Sequence, residues 1–433
     1  MSWTEEQLQA INKRGANILV SAAAGSGKTS VLIERIITKV IEDRVDIDKI
    51  LVVTFTSAAA SEMKQRLLTA LYKKIDETPD DQYLQKQISL LNRANISTIH
   101  SFCLNMIKNN FYLLDMPANF RIGDTAEIEI LKQDVIEEIF EEKYENNDKG
   151  FLDLIRKYTN YSDDQSLKDL IIKIYEYSLC MPNSKEWIKQ SIEDFNFDEK
   201  IKNKDYSNKW TDILLEDLKK RINEAIEVFE KSKKELEGIK SLEQTYLLFE
   251  KDIELLKKID TTSWDTAQTG LSNIQWAQFT RKNKTMSEGE DQIRTELKTR
   301  RDNEKDYLKK AIKEKISQES AVLELNEMYP SLKYLLEMIE NFDENYKKAK
   351  KEKNIIDYTD LEHLALKLLI DENNKKTEIS KKYQFDEVLI DEYQDINEVQ
   401  EKILTSVSNE KNIFMVGDVK QSIYRFRQSR PNI

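Results

Sequence analysis

Ile18-Leu19-Val20-Ser21-Ala22-Ala23-Ala24-Gly25-Ser26-Gly27-Lys28-Thr29 is the stretch on which the fold turns. The apolar run Asn17-Ile18-Leu19-Val20 leads into a turn of small residues, and an amphipathic segment from Val31 to Val40 follows it. A strand that hands a glycine-rich turn to a helix N-terminus aims backbone N–H groups at one point, where the helix dipole also favours negative charge. Ala22, Ala23, Ala24, Gly25, Ser26 and Gly27 would form such a phosphate cradle, with glycines where a side chain would block the backbone's approach. Lys28 would reach the β- and γ-phosphates of ATP, and the Thr29 hydroxyl would ligate Mg²⁺. Ala22 stands where the common pattern begins with glycine, so the first turn is expected to be right-handed. The plainer alternative is a small-residue turn that happens to precede a lysine.

Further short, apolar, β-branched runs occur at Ile50 to Thr54, Val388 to Ile390 and Ile413 to Val416, as expected of parallel strands buried on both faces. Helical patterns at Val31 to Val40, Ala58 to Tyr72 and Val399 to Ser406 alternate with them, which predicts a doubly wound α/β domain of the P-loop NTPase (RecA-like) kind. Between about Asp124 and about Lys353 the chain changes to Lys/Glu/Leu/Ile/Tyr stretches with helical spacing, such as Ile128 to Tyr144 and Ile213 to Phe229. The α/β pieces flank this region, so it reads as a large, mostly helical insertion. Heptads are not sustained, which favours a packed domain over an exposed coiled coil.

At 433 residues the chain exceeds the size of one usual hydrophobic core. Glycine totals 9, three of them within the first 27 residues, so the remainder has little loop chemistry. A net charge of −12 argues against a wholly basic nucleic-acid coat. It does not exclude DNA, because screening confines electrostatics to about 8–10 Å and local basic surfaces act alone. Arg281 to Lys315 is one such basic stretch, with Arg294, Arg300, Arg301, Lys309 and Lys310; it is either a DNA contact or a solvated helix face. Two cysteines, Cys103 and Cys180, make no disulfide framework and lack metal-ligand spacing, from which a cytoplasmic location is expected. The N-terminus lacks the features of a signal peptide, and no apolar run approaches the roughly 18–20 residues of a membrane span.

Phe385-Asp386-Glu387-Val388-Leu389-Ile390-Asp391-Glu392-Tyr393-Gln394-Asp395 ends an apolar strand in adjacent acids. In a P-loop fold such a strand presents one carboxylate to Mg²⁺, here Asp391, and the next to the attacking water, here Glu392. Read alone, it is an acidic turn. Val416-Gly417-Asp418-Val419-Lys420-Gln421-Ser422-Ile423-Tyr424-Arg425-Phe426-Arg427 follows, with the Gln421 amide where it could sense a γ-phosphate and with aromatics and arginines alternating after it. Aromatic faces stack on unpaired bases for roughly 1–3 kcal/mol each, and arginine adds phosphate or cation–π contacts. The competing view makes Tyr424 and Phe426 core residues.

These motifs, in this order, resemble the UvrD-like branch of superfamily 1 helicases. They are Gln7 within Thr4-Glu5-Glu6-Gln7-Leu8-Gln9-Ala10-Ile11, the Lys28 loop, Thr54-Phe55-Thr56-Ser57-Ala58-Ala59-Ala60, Thr98-Ile99-His100-Ser101-Phe102, the Asp391 acids and the Gln421 segment. Lys420 before Gln421, Phe120-Arg121-Ile122 and Asp357-Tyr358-Thr359-Asp360-Leu361-Glu362 resemble the AddA (RexA) group of helicase/nucleases, which process DNA double-strand breaks for homologous recombination. The resemblance implies a motor domain 1A over 1–120 and 354–433 and an inserted helical domain 1B over 121–353. It implies that Gln7 reads adenine and that Phe55, Thr56, His100, Tyr424, Phe426 and Arg427 line a single-strand track. Phe55 as core, His100 as a helix cap and Thr56 as an N-cap are the structural alternatives. It also implies 3′→5′ polarity, single- and double-stranded DNA as substrates and a second protein of the AddB/RexB type as partner.

Members of that group continue into a second motor domain and a nuclease domain, so this sequence is expected to be their N-terminal part, with slow turnover by itself. Two other functions compete. A chromosome-structural P-loop ATPase needs a Ser-Gly-Gly signature before its acidic strand, of which Gly270-Leu271-Ser272-Asn273 is a faint echo. A module that binds ATP, DNA or a partner without turnover is the other. His363, on an apolar helical stretch, is expected to be structural.

Overall fold

The computed structural model describes residues 3–23, 25–159, 163–284, 286–313 and 316–418. Ala24, Gln421, Tyr424, Phe426 and Arg427 lie outside them. The chain divides into two compact units, one formed by 1–190 with 334–433 and the other by 191–333.

Among the described residues the first unit is built on seven strands: β1 (Ile18–Ser21), β2 (Ile50–Thr54), β3 (Asn95–Thr98), β4 (Arg121–Ile122), β5 (Ile355–Ile356), β6 (Glu387–Ile390) and β7 (Ile413–Gly417). Five make one parallel sheet in the order β1-β7-β6-β2-β3. Alternate residues of β2, β6 and β7 feed two separate cores. Leu51, Val53, Val388 and Ile390 pack under the helices Ile99–Asn110, Tyr358–Leu369 and Glu398–Ser406. Ile50, Val52, Leu389, Phe414 and Val416 pack under Lys28–Ile41, Ser57–Glu77 and Gln82–Leu91. Helices on both faces explain why β2 and β6 are buried at every residue and read as unbroken apolar runs.

The four apolar runs of the sequence are strands at their expected places. β3 was not expected: its residues are Asn95-Ile96-Ser97-Thr98, it lies at the sheet edge, and only Ile96 is fully buried. β4 and β5 form a separate parallel ribbon, Arg121 beside Ile355 and Ile122 beside Ile356, which ties together the two ends of the insertion.

In the second unit the helices Lys209–Glu235, Glu243–Lys257, Trp264–Ser272 and Glu288–Ala311 share a core of Leu218, Phe229, Phe249, Trp264 and Leu308 among others. Its centre holds a buried ion pair: Arg301 Nε donates to Asp252 Oδ2 at 2.5 Å and Nη2 to the Ala277 carbonyl at 3.0 Å, with both side chains 1% exposed or less. This corrects the reading of the basic stretch. Arg301 is a core residue, Arg300 is paired with Glu235, and Arg294 is held by Asp291 and the Thr280 carbonyl. Lys309 and Lys310 remain at the surface, in the last turn of their helix, where the dipole favours cations.

Candidate functional site

In a parallel sheet every strand points its C-terminal end to the same edge, and ligands of open α/β folds bind there. Five strand ends meet at that edge: β1 before the Ala22 turn, β7 before Asp418, β6 before Asp391, β2 before Phe55 and β3 before Ile99. Ser21 lies beside Gly417, and the Ala22 N–H donates to the Gly417 carbonyl at 3.2 Å.

Gly25 and Gly27 both have positive φ, 76° and 81°, in the left-handed region that favours glycine. Gly27 is the N-cap of Lys28–Ile41, with no side-chain cap, so the first amides of the helix are left without that partner. The Lys28 ammonium is buried and has no hydrogen-bond partner among the described residues. A buried unpaired cation is costly, and its retention marks a place where an anion would be accommodated. The loop is braced from two sides. The Gln7 Nε2 donates to the Ser26 carbonyl at 3.1 Å, while its Oε1 accepts from the Thr4 N–H at 2.9 Å in a capping box. Behind the loop, Arg35 donates to Glu387 at 2.6 Å and to the Ala10 carbonyl at 2.6 Å, joining the loop helix, the helix Glu5–Asn12 and the start of β6. Gln7, Ser26, Lys28, Ile18 and Val20 line a groove of about 710 Å³.

Asp391 and Glu392 leave β6 in different conformations. Asp391 continues the ladder through its N–H to the Val53 carbonyl at 2.9 Å, and is 9% exposed. Burial, then the neighbouring Glu392 charge, push its carboxyl up to about 6, with Lys28 pulling the other way. Glu392 has φ 54° and ψ 48°, a left-handed backbone costly for a residue with a side chain and found where a site requires it. Its Oε2 accepts from Gln394 Nε2 at 2.7 Å, and Gln394 Oε1 accepts from the Asp418 N–H at 2.9 Å. Gln394 thus bridges the acidic turn to the end of β7. Gly417 is required beside it, because a Cβ there would lie 2.6 Å from Gln394 Oε1. Sequence alone assigns Gln394 no role; an amide two residues after the acid is the available signal.

The β2 and β3 ends form a second area. Phe55 is 37% exposed, and Thr56 accepts from the Ala59 N–H at 3.1 Å as N-cap of Ser57–Glu77. His100 does not cap its helix; Thr98 does. The His100 Nε2 lies 2.9 Å from Glu362 Oε1, and its ring meets Tyr358 edge-on at 5.2 Å. Phe55, His100, Tyr358 and Glu392 share a pocket of about 560 Å³. His363, by contrast, is spent on the Leu179 carbonyl at 2.7 Å.

The chain belongs to the UvrD/REP helicase N-terminal domain family, which matches residues 3–267 and 244–433. That membership sets aside the chromosome-structural ATPase. Among curated relatives the chain is similar to the A-type subunit of the ATP-dependent helicase/nuclease of Clostridioides difficile (strain 630), 42% identical over 451 residues. It is similar also to those of Clostridium botulinum (strain Alaska E43 / Type E3), 41% identical, and Clostridium perfringens (strain 13 / Type A), 40% identical. All of this chain is covered in each case, and it spans 35–36% of the relatives' length. No helix among the described residues is long and apolar enough to cross a membrane.

Proposed function

We propose that this chain carries the first motor domain of an ATP-dependent DNA helicase of the AddA helicase/nuclease kind, acting in double-strand break repair in the cytoplasm. The observation that carries this reading is the Lys28 ammonium, buried without a partner among the described residues, after a glycine turn at the same sheet edge as Asp391. The donor set fits a nucleotide with Mg²⁺. Gly25, Gly27 and Lys28 would hold phosphate, and Thr29 and Asp391 the metal. Among the described residues no group of three or more His, Cys, Asp or Glu is placed to hold a metal. Mg²⁺ takes one or two protein ligands and completes its shell with phosphate and water. Bound Mg²⁺ would neutralise negative charge on the nucleotide's phosphates. Glu392, held by Gln394, would orient the attacking water, and Gln421 would sense the γ-phosphate.

The sheet and its turn form a P-loop, RecA-like domain in this reading, with 121–353 as the inserted 1B domain. Gln7, braced against Ser26, retains one N–H and one lone pair for an adenine edge. Phe55, Thr56, His100, Tyr424, Phe426 and Arg427 would line the single-strand path, with 3′→5′ movement and an AddB-type partner. Calorimetric titration of Mg·ATP tests the nucleotide site. Lys28→Ala should weaken binding by at least tenfold, since a charge-assisted contact worth about 1.5–3 kcal/mol is lost. Unchanged affinity would reject the assignment.

A further inference from the structure

Glu362 is buried in the second turn of Tyr358–Leu369, and three donors from two other helices and their caps converge on it. His100 Nε2 and Gln400 Nε2 reach Oε1 at 2.9 and 2.7 Å, and Asn397 Nδ2 reaches Oε2 at 3.1 Å. Burial opposes ionisation, yet the His100 bond and charge, with the bonds from Gln400 and Asn397, outweigh it and hold the carboxyl below its ordinary range. Glu362 is therefore an acceptor at both oxygens. An acceptor-only partner requires the proton on the His100 Nε2; in the neutral form of the ring Nδ1 is then the acceptor. Among the described residues Nδ1 has no partner, and the side chain is 34% exposed.

The pocket beside it is lined by the carboxylates of Glu176, Glu362, Asp391, Glu392 and Asp395 and by no lysine or arginine among the described residues. Phosphate not neutralised by a metal ion is unfavourable against such a wall. The N–H edge of a base is not.

We propose that Glu362 is a positioning residue that fixes His100 as its Nε2–H tautomer, so that Nδ1 accepts a hydrogen bond from the edge of an unpaired base. This rests on the reading that His100 touches single-stranded DNA. Asn397 and Gln400 extend the clamp. Asn397 is the N-cap of Glu398–Ser406, the helix that follows the acidic turn, so the same carboxylate ties the DNA-facing ring to the segment carrying Asp391 and Glu392.

The 433-residue chain has two histidines, so its ring nitrogens give two sets of NMR signals, assigned with His363→Asn. His100 should show the Nε2–H tautomer; the Nδ1–H tautomer in the unaltered protein would overturn the proposal. Binding of a fluorescent single-stranded oligonucleotide supplies the second arm. Glu362→Ala should weaken it about 3–10-fold, the loss of one hydrogen bond, and Glu362→Gln, which keeps one acceptor, by less. In a His100→Asn background Glu362→Ala should have no further effect. An equal loss in both backgrounds would make Glu362 merely structural and refute the proposal while leaving the DNA reading intact. If His100→Asn itself binds normally, the DNA reading of His100 is what fails. The slope of log affinity against log salt should not change in His100→Asn; a slope smaller by about 0.7 would mean a lost phosphate contact and overturn the base-edge assignment.

Discussion

Asp391→Asn should make the nucleotide-free protein more stable at pH 7.5 while disabling the Mg²⁺ site proposed for it. Asp391 is 9% exposed and sits against Glu392, and these two effects raise its carboxyl from 3.8 to about 6. A shift of that size corresponds to about 3 kcal/mol between the protonated and charged forms. Because the folded-state value is raised, the protonated carboxyl's contribution is complete below 3.8 and is lost as pH climbs through about 6. At pH 7.5 the wild type therefore carries a strained charge that asparagine, neutral throughout, does not. The gain expected for Asp391→Asn is up to about 3 kcal/mol at pH 7.5, on the order of 5 °C in the unfolding midpoint, shrinking towards zero below pH 4. The assay is thermal unfolding of both proteins across pH without Mg²⁺ or nucleotide, followed by ATP titration with and without Mg²⁺. Wild type should bind ATP more tightly with Mg²⁺, and the variant should show no such difference. A variant that is no more stable at pH 7.5, or equally stabilised at pH 4 and 7.5, would refute the account of Asp391 as a charge held against its preference for a metal.

Gly417→Ala places a Cβ 2.6 Å from Gln394 Oε1 and should cost about 1–3 kcal/mol in urea unfolding. Adding Gln394→Ala should recover most of it, and additive losses would show that the two do not meet. Arg301→Leu leaves Asp252 buried and unpaired and should cost about 3–5 kcal/mol, whereas Arg301→Leu with Asp252→Leu should be far milder. The double variant should bind single-stranded DNA with the wild-type salt dependence; a reduced slope would return Arg301 to the DNA surface.

The legible part of this molecule was the part whose signal is local. β2, β6 and β7 are continuous apolar runs because both sheet faces are covered, β1 is a half-exposed edge strand whose Ile18, Leu19 and Val20 still make one apolar run, and the Lys28 turn is a motif within a dozen residues. β3 escaped because an edge strand with one fully buried residue has little hydrophobic pattern to show. Arg301 was misread for the opposite reason: its basic neighbours are adjacent in sequence, but its partner Asp252 is 49 residues away. Glu362 and its three donors belong to segments up to 262 residues apart, so no window along the chain reveals that they meet. Thr56 illustrates both levels at once. Its capping role followed from its position before an alanine-rich helix and is what the structure shows.

The sheet order explains how so long an interruption is tolerated. β6 and β7 insert between β1 and β2, so the sheet cannot form until about 290 residues after β3 have been traversed. Loop-closure entropy grows only logarithmically, each doubling costing about 0.6 kcal/mol, so length alone is a weak penalty. The β4–β5 ribbon reduces it further. Arg121 and Ile122 pair with Ile355 and Ile356, and the Gly123 N–H donates to the Ile356 carbonyl at 3.0 Å, closing the insertion at its base. Once that base forms, the sheet has to span only the short segments from β3 to β4 and from β5 to β6, whatever the inserted helices do. The inserted segment is thus constrained at its two ends by the ribbon, and within 191–333 by a core of its own.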